Sequence, residues 1–385
     1  MNVGVSRHNS IRPHWLASWS EEAIDPARPI VDAHHHLFER PGWRYLADDL
    51  MEDIGTGHNL RATVYVQARS MLREDGPEEM RPVGETEFAN SIGEKWTRPQ
   101  LCAGIVGHAD LRQGTAVRSV LEAHMSAAGG SRGSGGRFRG VRQIAFWDAD
   151  PTLANPAYAA TEDMLDSPEF RAGFAELAPL GLSFDAWIVF HQIPRLTRLA
   201  RDSPQTQIVL DHCGGIAGIG PYAGKRDEVF AAWSRSLAEL ARCRNVWVKV
   251  GGLGSRLAGF GFERRERAPS SVELADAWRP WVRTVFDLFG PERCMFESNF
   301  PMDKGSHSWV VGWNALKRLA EDLGTDEQDD LCWRSAAKFY LLPGSDLKIP
   351  MTFPTGPRTG FWAQSPEEPP ERPDVVEQRG RPPDE

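Results

Sequence analysis

The sequence predicts an α/β fold: a (β/α)8 TIM barrel carrying a short N-terminal arm and a proline-rich C-terminal tail. Three observations carry this expectation. Eight short β-rich apolar runs alternate with stretches of helical periodicity between residues 30 and 300, and such alternation implies a parallel sheet. No G-x-G-x-x-G follows the first run, which removes the main reason to expect an open dinucleotide-binding sheet. Each run also ends in polar side chains, as strands do at the C-terminal face of a barrel.

Residues 1–28 hold Trp15 and Trp19 but little periodicity, so they read as an arm that packs on a domain. The first strand, Ile30 to Phe38, contains His34-His35-His36. Side chains alternate along a strand, so His34 and His36 share one face. The remaining strands are expected at Ala62 to Ala68, Cys102 to Ala109, Phe138 to Phe146, Leu182 to His191, Gln207 to His212, Val246 to Val250 and Cys294 to Phe300. Between them, Pro194 to Arg201, Val229 to Arg242 and Trp278 to Phe289 have the apolar spacing of amphipathic helices. The Gly/Ser run from Gly129 to Gly136 is expected to be a mobile loop. The barrel is expected over 29–345, and residues 346–385, with eight prolines among the last 35 positions, form an extended or disordered tail.

The 385 residues carry a net charge of −9, without the clustered basic residues that nucleic-acid binding requires. No run of about 18 apolar residues offers a membrane span. Five cysteines without C-x-x-C spacing read as reduced core residues, which points to a cytoplasmic protein. The expected partner is a small-molecule substrate, with no nucleic acid and no membrane; a homo-oligomer stays open.

The polar residues closing the strands form a candidate site: His34 and His36, Gln67 and Arg69, Arg142, His191, His212, Lys249, and finally Glu297, Asn299 and Asp303. Histidine is the commonest metal ligand and is suited to proton transfer near neutral pH. Arg142 and Arg69 suit carboxylate recognition, because a guanidinium engages a carboxylate through two parallel hydrogen bonds. Trp43, Trp147 and Trp309 follow strand ends and are expected to wall an apolar pocket.

The segments Asp32-Ala33-His34-His35-His36-Leu37, Phe138-Arg139-Gly140-Val141-Arg142, Leu182-Ser183-Phe184-Asp185, Leu210-Asp211-His212-Cys213-Gly214-Gly215, Lys249-Val250-Gly251-Gly252-Leu253 and Met295-Phe296-Glu297-Ser298-Asn299-Phe300-Pro301 resemble, as an ordered set, the amidohydrolase superfamily. Within it they resemble the amidohydrolase-2 branch, which includes lactone hydrolases. The resemblance implies catalytic roles for His34, His36, His191, His212, Asn299 and Glu297, and substrate contacts from Arg142, Gln67, Arg69, Lys249 and Asp303. In metal-dependent members, His34, His36 and His191 would ligate an ion together with a strand-eight aspartate. Here that position is Asn299, which can neither act as a base nor supply an anionic ligand. Two cofactor states therefore remain: a single divalent ion such as Zn²⁺, or none. The expected activity is that of a hydrolase opening a lactone of a carboxylated or sugar-like molecule. The alternatives are a metal-dependent decarboxylase of an aromatic or unsaturated acid, and a barrel that has lost catalysis and only binds a ligand.

Overall fold

The computed structural model describes residues 8–130, 135–153 and 155–342. Its main sheet has eight parallel strands, each bonded to its neighbours in chain order: β1 (Pro29–His35), β2 (Asn59–Val66), β3 (Gln100–Gly107), β4 (Phe138–Val141), β5 (Ser183–Ala186), β6 (Ile208–Leu210), β7 (Val246–Val250) and β8 (Cys294–Phe296). A helix follows each strand: α1 (Ala47–Ile54), α2 (Val83–Lys95), α3 (Val117–Ala127), α4 (Pro168–Phe174), α5 (Ile193–Asp202), α6 (Arg226–Leu240), α7 (Ser271–Phe289) and α8 (Trp309–Leu319). The sheet closes into the expected barrel where His35 bridges Phe300; the His36 N–H donates to the Phe300 carbonyl at 2.8 Å and the Asn299 N–H to that of His34 at 2.9 Å. Asp32 reinforces this seam, accepting from the backbone of Ser298 at 2.9 Å and of His34 at 3.3 Å.

Several expected strands run past the observed ends. The fourth stops at Val141 rather than Phe146, and the fifth at Ala186 rather than His191. The reason is that Ile144, Phe146, Ile188 and Val189 stay buried in the loops beyond, so apolar composition persists after ladder pairing has ended. Phe38 likewise leaves β1 and pairs with Tyr45 in a short antiparallel hairpin of Phe38–Arg40 and Trp43–Tyr45. In the opposite sense, α7 begins at Ser271 rather than Trp278. A capping box starts it: Ser270 Oγ accepts from the Glu273 N–H at 3.2 Å, while Glu273 Oε2 accepts from the Ser270 N–H at 2.8 Å. From there Leu274, Trp278, Trp281, Val285 and Phe289 form one buried stripe against the sheet.

The described part of the arm lies on its own barrel. Trp15 Nε1 donates to the Arg265 carbonyl at 3.0 Å, the Ser271 N–H to Glu21 at 2.8 Å and the Ile24 N–H to Asn314 at 2.8 Å. All five cysteines are buried and unpaired. No helix among the described residues is long and apolar enough to cross a membrane. The expected tail lies outside the described residues, as does the centre of the Gly129 to Gly136 loop.

Candidate active site

A cavity of about 640 Å³ opens where the strands end, and six of the residues picked out in the sequence line it: His36, Gln67, Arg69, Arg142, His212 and Asn299. Three of these, Arg69, His212 and Asn299, hold left-handed backbone conformations, with φ between 52° and 59°. Such non-glycine residues concentrate where the surrounding fold dictates side-chain direction. The aromatic wall is not the expected one. Trp309 is buried away from the cavity and neither Trp43 nor Trp147 lines it; Trp187 does, standing edge-on to His212 with ring centroids 4.7 Å apart. The parity of β5 could have found it, because Trp187 follows the inward-facing Asp185 by two positions.

At the cavity floor His212 and Glu297 form a dyad, Nδ1 to Oε1, at 2.7 Å. The same carboxylate oxygen accepts from the His212 backbone N–H at 3.2 Å, so one residue fixes both backbone and ring. Burial alone would lower the His212 pKa, but the charge and hydrogen bond of Glu297, helped by Asp211, outweigh it and hold the imidazole above its ordinary value. Gly252, at φ +66°, is glycine because a Cβ there would stand 2.6 Å from the Cβ of His212 and closer still to its ring.

Beneath the floor lies a charged layer centred on His34. Its Nδ1 is 3.0 Å from Glu297 Oε2 and 3.1 Å from Lys249 Nζ, and its Nε2 accepts from Arg142 Nη1 at 3.2 Å. Lys249 donates to Asp185 at 2.6 Å and lies 3.2 Å from Asp211. His36 donates from Nδ1 to the Val66 carbonyl at 2.7 Å, and its Nε2 lies 3.2 Å from His34 Nε2. Both imidazoles are held well below the ordinary histidine pKa, first by burial and then by the cations, chiefly Lys249 for His34 and Arg142 for His36. They are therefore neutral at pH 7.

Three of the residues expected in the site are placed elsewhere. His191 does not join the other histidines: β5 ends five positions earlier, and the ring pairs with Asp148 at 2.9 Å, its side chain 31% exposed. Lys249 does not reach the cavity; it is wholly buried, and the carboxylates of Asp185 and Asp211 absorb its charge. Asp303 lies behind Asn299, accepting from its Nδ2 at 2.8 Å and from the Gly254 N–H at 2.8 Å. Burial, more than any charge, pushes the Asp303 carboxyl up to about 7. By taking the amide N–H, Asp303 leaves Asn299 Oδ1 buried without a protein partner; Arg142 Nε and Gln67 Oε1 are likewise unpartnered. Orphaned groups of this kind beside a cavity are the usual mark of a missing ligand or water.

The expected ligand trio of His34, His36 and His191 is thus not assembled. Among the described residues the set that offers three ligand atoms to an ion is His34, His212 and Glu297, all within 4.8 Å of one another. An ion sits about 2.1 Å from a histidine nitrogen. Bound at His34, it would have to displace either Lys249 from Nδ1 or Arg142 from Nε2. As arranged, these three residues could hold a divalent ion only in competition with the protein's own cations, Lys249 and Arg142, for the ring of His34.

The y4mH protein of Sinorhizobium fredii is 31% identical over 296 residues, covering 77% of this chain and 85% of that protein. An L-fucono-1,5-lactonase from Burkholderia ambifaria is 28% identical over 320 residues, covering 80% of this chain and 94% of its own. A crystal structure of an amidohydrolase from Burkholderia multivorans with bound zinc superposes with a TM-score of 0.61 at 25% identity, covering 82% of this chain and 99% of the other. The amidohydrolase family model Amidohydro_2 matches residues 31–342. Taken with the closed barrel and the histidine-rich mouth, that match means the chain belongs to the amidohydrolase family and is one of its hydrolases.

Proposed function

We propose that the protein opens a lactone, a cyclic ester of a small carboxylated or sugar-like molecule, without a metal-bound water. The observation that carries this reading is the His212–Glu297 dyad at the floor of a cavity whose wall includes Asn299, its Oδ1 buried without a protein partner. With Nδ1–H held by Glu297, the other nitrogen of His212 carries the lone pair and serves as general base. Asn299 Oδ1 accepts a hydrogen bond from the attacking water, and His212 takes that water's other proton as the oxygen adds to the acyl carbon. Arg142, whose Nη2 is anchored on the Gln67 carbonyl at 2.5 Å, donates to the carbonyl oxygen and stabilises the charge that develops there. The proton held by His212, now an imidazolium paired with Glu297, then passes to the ring oxygen as the acyl–oxygen bond breaks. His36 borders the carbonyl side as a neutral ring. The similarity to an L-fucono-1,5-lactonase supports a lactone substrate.

Proton release in weakly buffered dye solution, across sugar lactones, muconolactones and pyrone carboxylates, tests this. Acid release by the wild type that falls at least 100-fold in His212→Asn is expected, in the range by which a positioned base contributes. No acid release on any lactone, or an undiminished His212→Asn rate, refutes it. Decarboxylation finds no support in the site, since Asn299 replaces the strand-eight aspartate that the resemblance associates with that reaction.

A further inference from the structure

The family match begins at residue 31, yet the cavity has a wall that begins earlier: His8 of the arm lines it. The His8 ring packs on Trp43 with centroids 5.4 Å apart, Trp43 stands edge-on to Phe38 at 4.9 Å, and the Arg40 guanidinium covers the same Phe38 ring at 4.6 Å. Arm and hairpin thus form one continuous stack at the rim. The arm is seated, not merely adjacent. Asn9 Nδ2 donates to Ser306 Oγ at 2.9 Å, Arg12 donates to the Glu263 carbonyl, and a Cβ on Gly305 would stand 2.5 Å from the Asn9 Cβ.

The charge at this rim has one sign. Arg40 and Arg69 both line the cavity, and their hydrogen bonds go to backbone carbonyls, Arg40 to Ala68 and Arg69 to Ala157. Among the described residues, neither forms an ion pair with a carboxylate and no Asp or Glu lines the cavity. Guanidinium groups satisfied only by carbonyls keep their attraction for an anion.

We infer that the arm is a working part of the substrate site: it adds His8 to the cavity that Arg40 and Arg69 also line, and so completes a subsite for an anionic group, a carboxylate remote from the ester that breaks. The substrate class is then an acidic lactone rather than a neutral one. This deepens the lactonase reading and rests on it for the choice of probe.

Calorimetric binding of D-glucaro-1,4-lactone, which carries a carboxylate, and of neutral D-galactono-1,4-lactone to the full chain tests the subsite. The wild type should favour the acidic lactone. His8→Ala removes the contact, and Gly305→Ala unseats the arm while leaving His8 in the chain. Each should shrink the ratio of the two affinities about tenfold, the lower end for a lost hydrogen bond to a charged group. An unchanged ratio in either variant overturns the inference, as does a wild type with no preference for the acidic lactone. Binding is read apart from turnover: a wild type that binds the acidic lactone preferentially but releases no acid on any lactone defeats the lactonase reading, not the subsite.

Discussion

Replacing Gly252 by alanine separates the geometry of the His212–Glu297 dyad from the stability of the barrel. Two costs are expected. The first is backbone: φ is +66° at Gly252, and an L-residue there loses about 1 kcal/mol or somewhat more. The second is steric: the new methyl would lie 2.6 Å from the His212 Cβ and 2.5 Å from its Cγ, where carbon atoms prefer about 3.5 Å or more. The ring must therefore retreat by about 1 Å, which breaks the 2.7 Å bond to Glu297, and displacement on that scale costs roughly 100-fold in rate. Gly181→Ala supplies the control. Its φ is also +66°, but nothing lies within 4 Å of the added methyl. Thermal melts should drop by a few degrees for Gly181→Ala and further for Gly252→Ala, which adds the steric cost to the same backbone one, while kcat/KM on an accepted lactone should fall about 100-fold for Gly252→Ala alone. Equal activities would refute the claim that His212 must stand against Gly252 to react.

Lys249→Met leaves Asp185 and Asp211 buried without their cation, so urea unfolding should register a loss of roughly 3–5 kcal/mol; a change below about 1 kcal/mol would contradict the charged-layer description. Asp303 has a folded pKa of about 7 against about 3.9 when unfolded. Its protonated form is thus favoured by folding, and the stability it contributes is complete below about pH 4 and lost as pH rises to 7. Melting of Asp303→Asn should accordingly be flatter than wild type across that window; parallel pH curves would show that Asp303 does not titrate there. Asn299→Asp puts an oxygen where the amide N–H now meets Asp303 at 2.8 Å, so kcat should fall at least 100-fold with no recovery on adding Zn²⁺. Zinc-dependent activity in that variant would show that an ion enters without obstruction from Lys249 and Arg142. His191→Ala should retain kcat within about threefold, because its partner Asp148 lies off the cavity.

The barrel was legible because eight apolar runs must pair with something, and the turn of each run into polar residues marked the mouth. Strand lengths were not, since residues such as Ile188 and Val189 are buried in loops and look the same in composition as residues in the ladder. That His36, His212 and Asn299 reach the strand-end cavity was readable from alternation and position. His191 stands on Asp148, off the cavity, because the strand ends five positions before it, and Trp187, just past that end, has no polar signal to mark it. The pairing of Lys249 with Asp185, and of Tyr340 with the same carboxylate at 2.7 Å, had no local signal; it joins positions far apart in the chain. Asp303 was identifiable as a strand-eight carboxylate, but only the fold shows it turned away from the cavity to hold Asn299.

The seam between β1 and β8 also bears on how the protein comes into being. His34 and His36 are made early, but the residues that hold them in place, Ser298, Asn299 and Phe300, are made some 260 residues later. Asn9 likewise waits for Ser306, nearly 300 residues downstream. Contacts of such separation form late and slowly, so a nascent chain leaving the ribosome holds histidines and arm in hand with nowhere to put them. The reactive mouth is assembled only when the last strand arrives, and a chain cut short before it remains chemically silent.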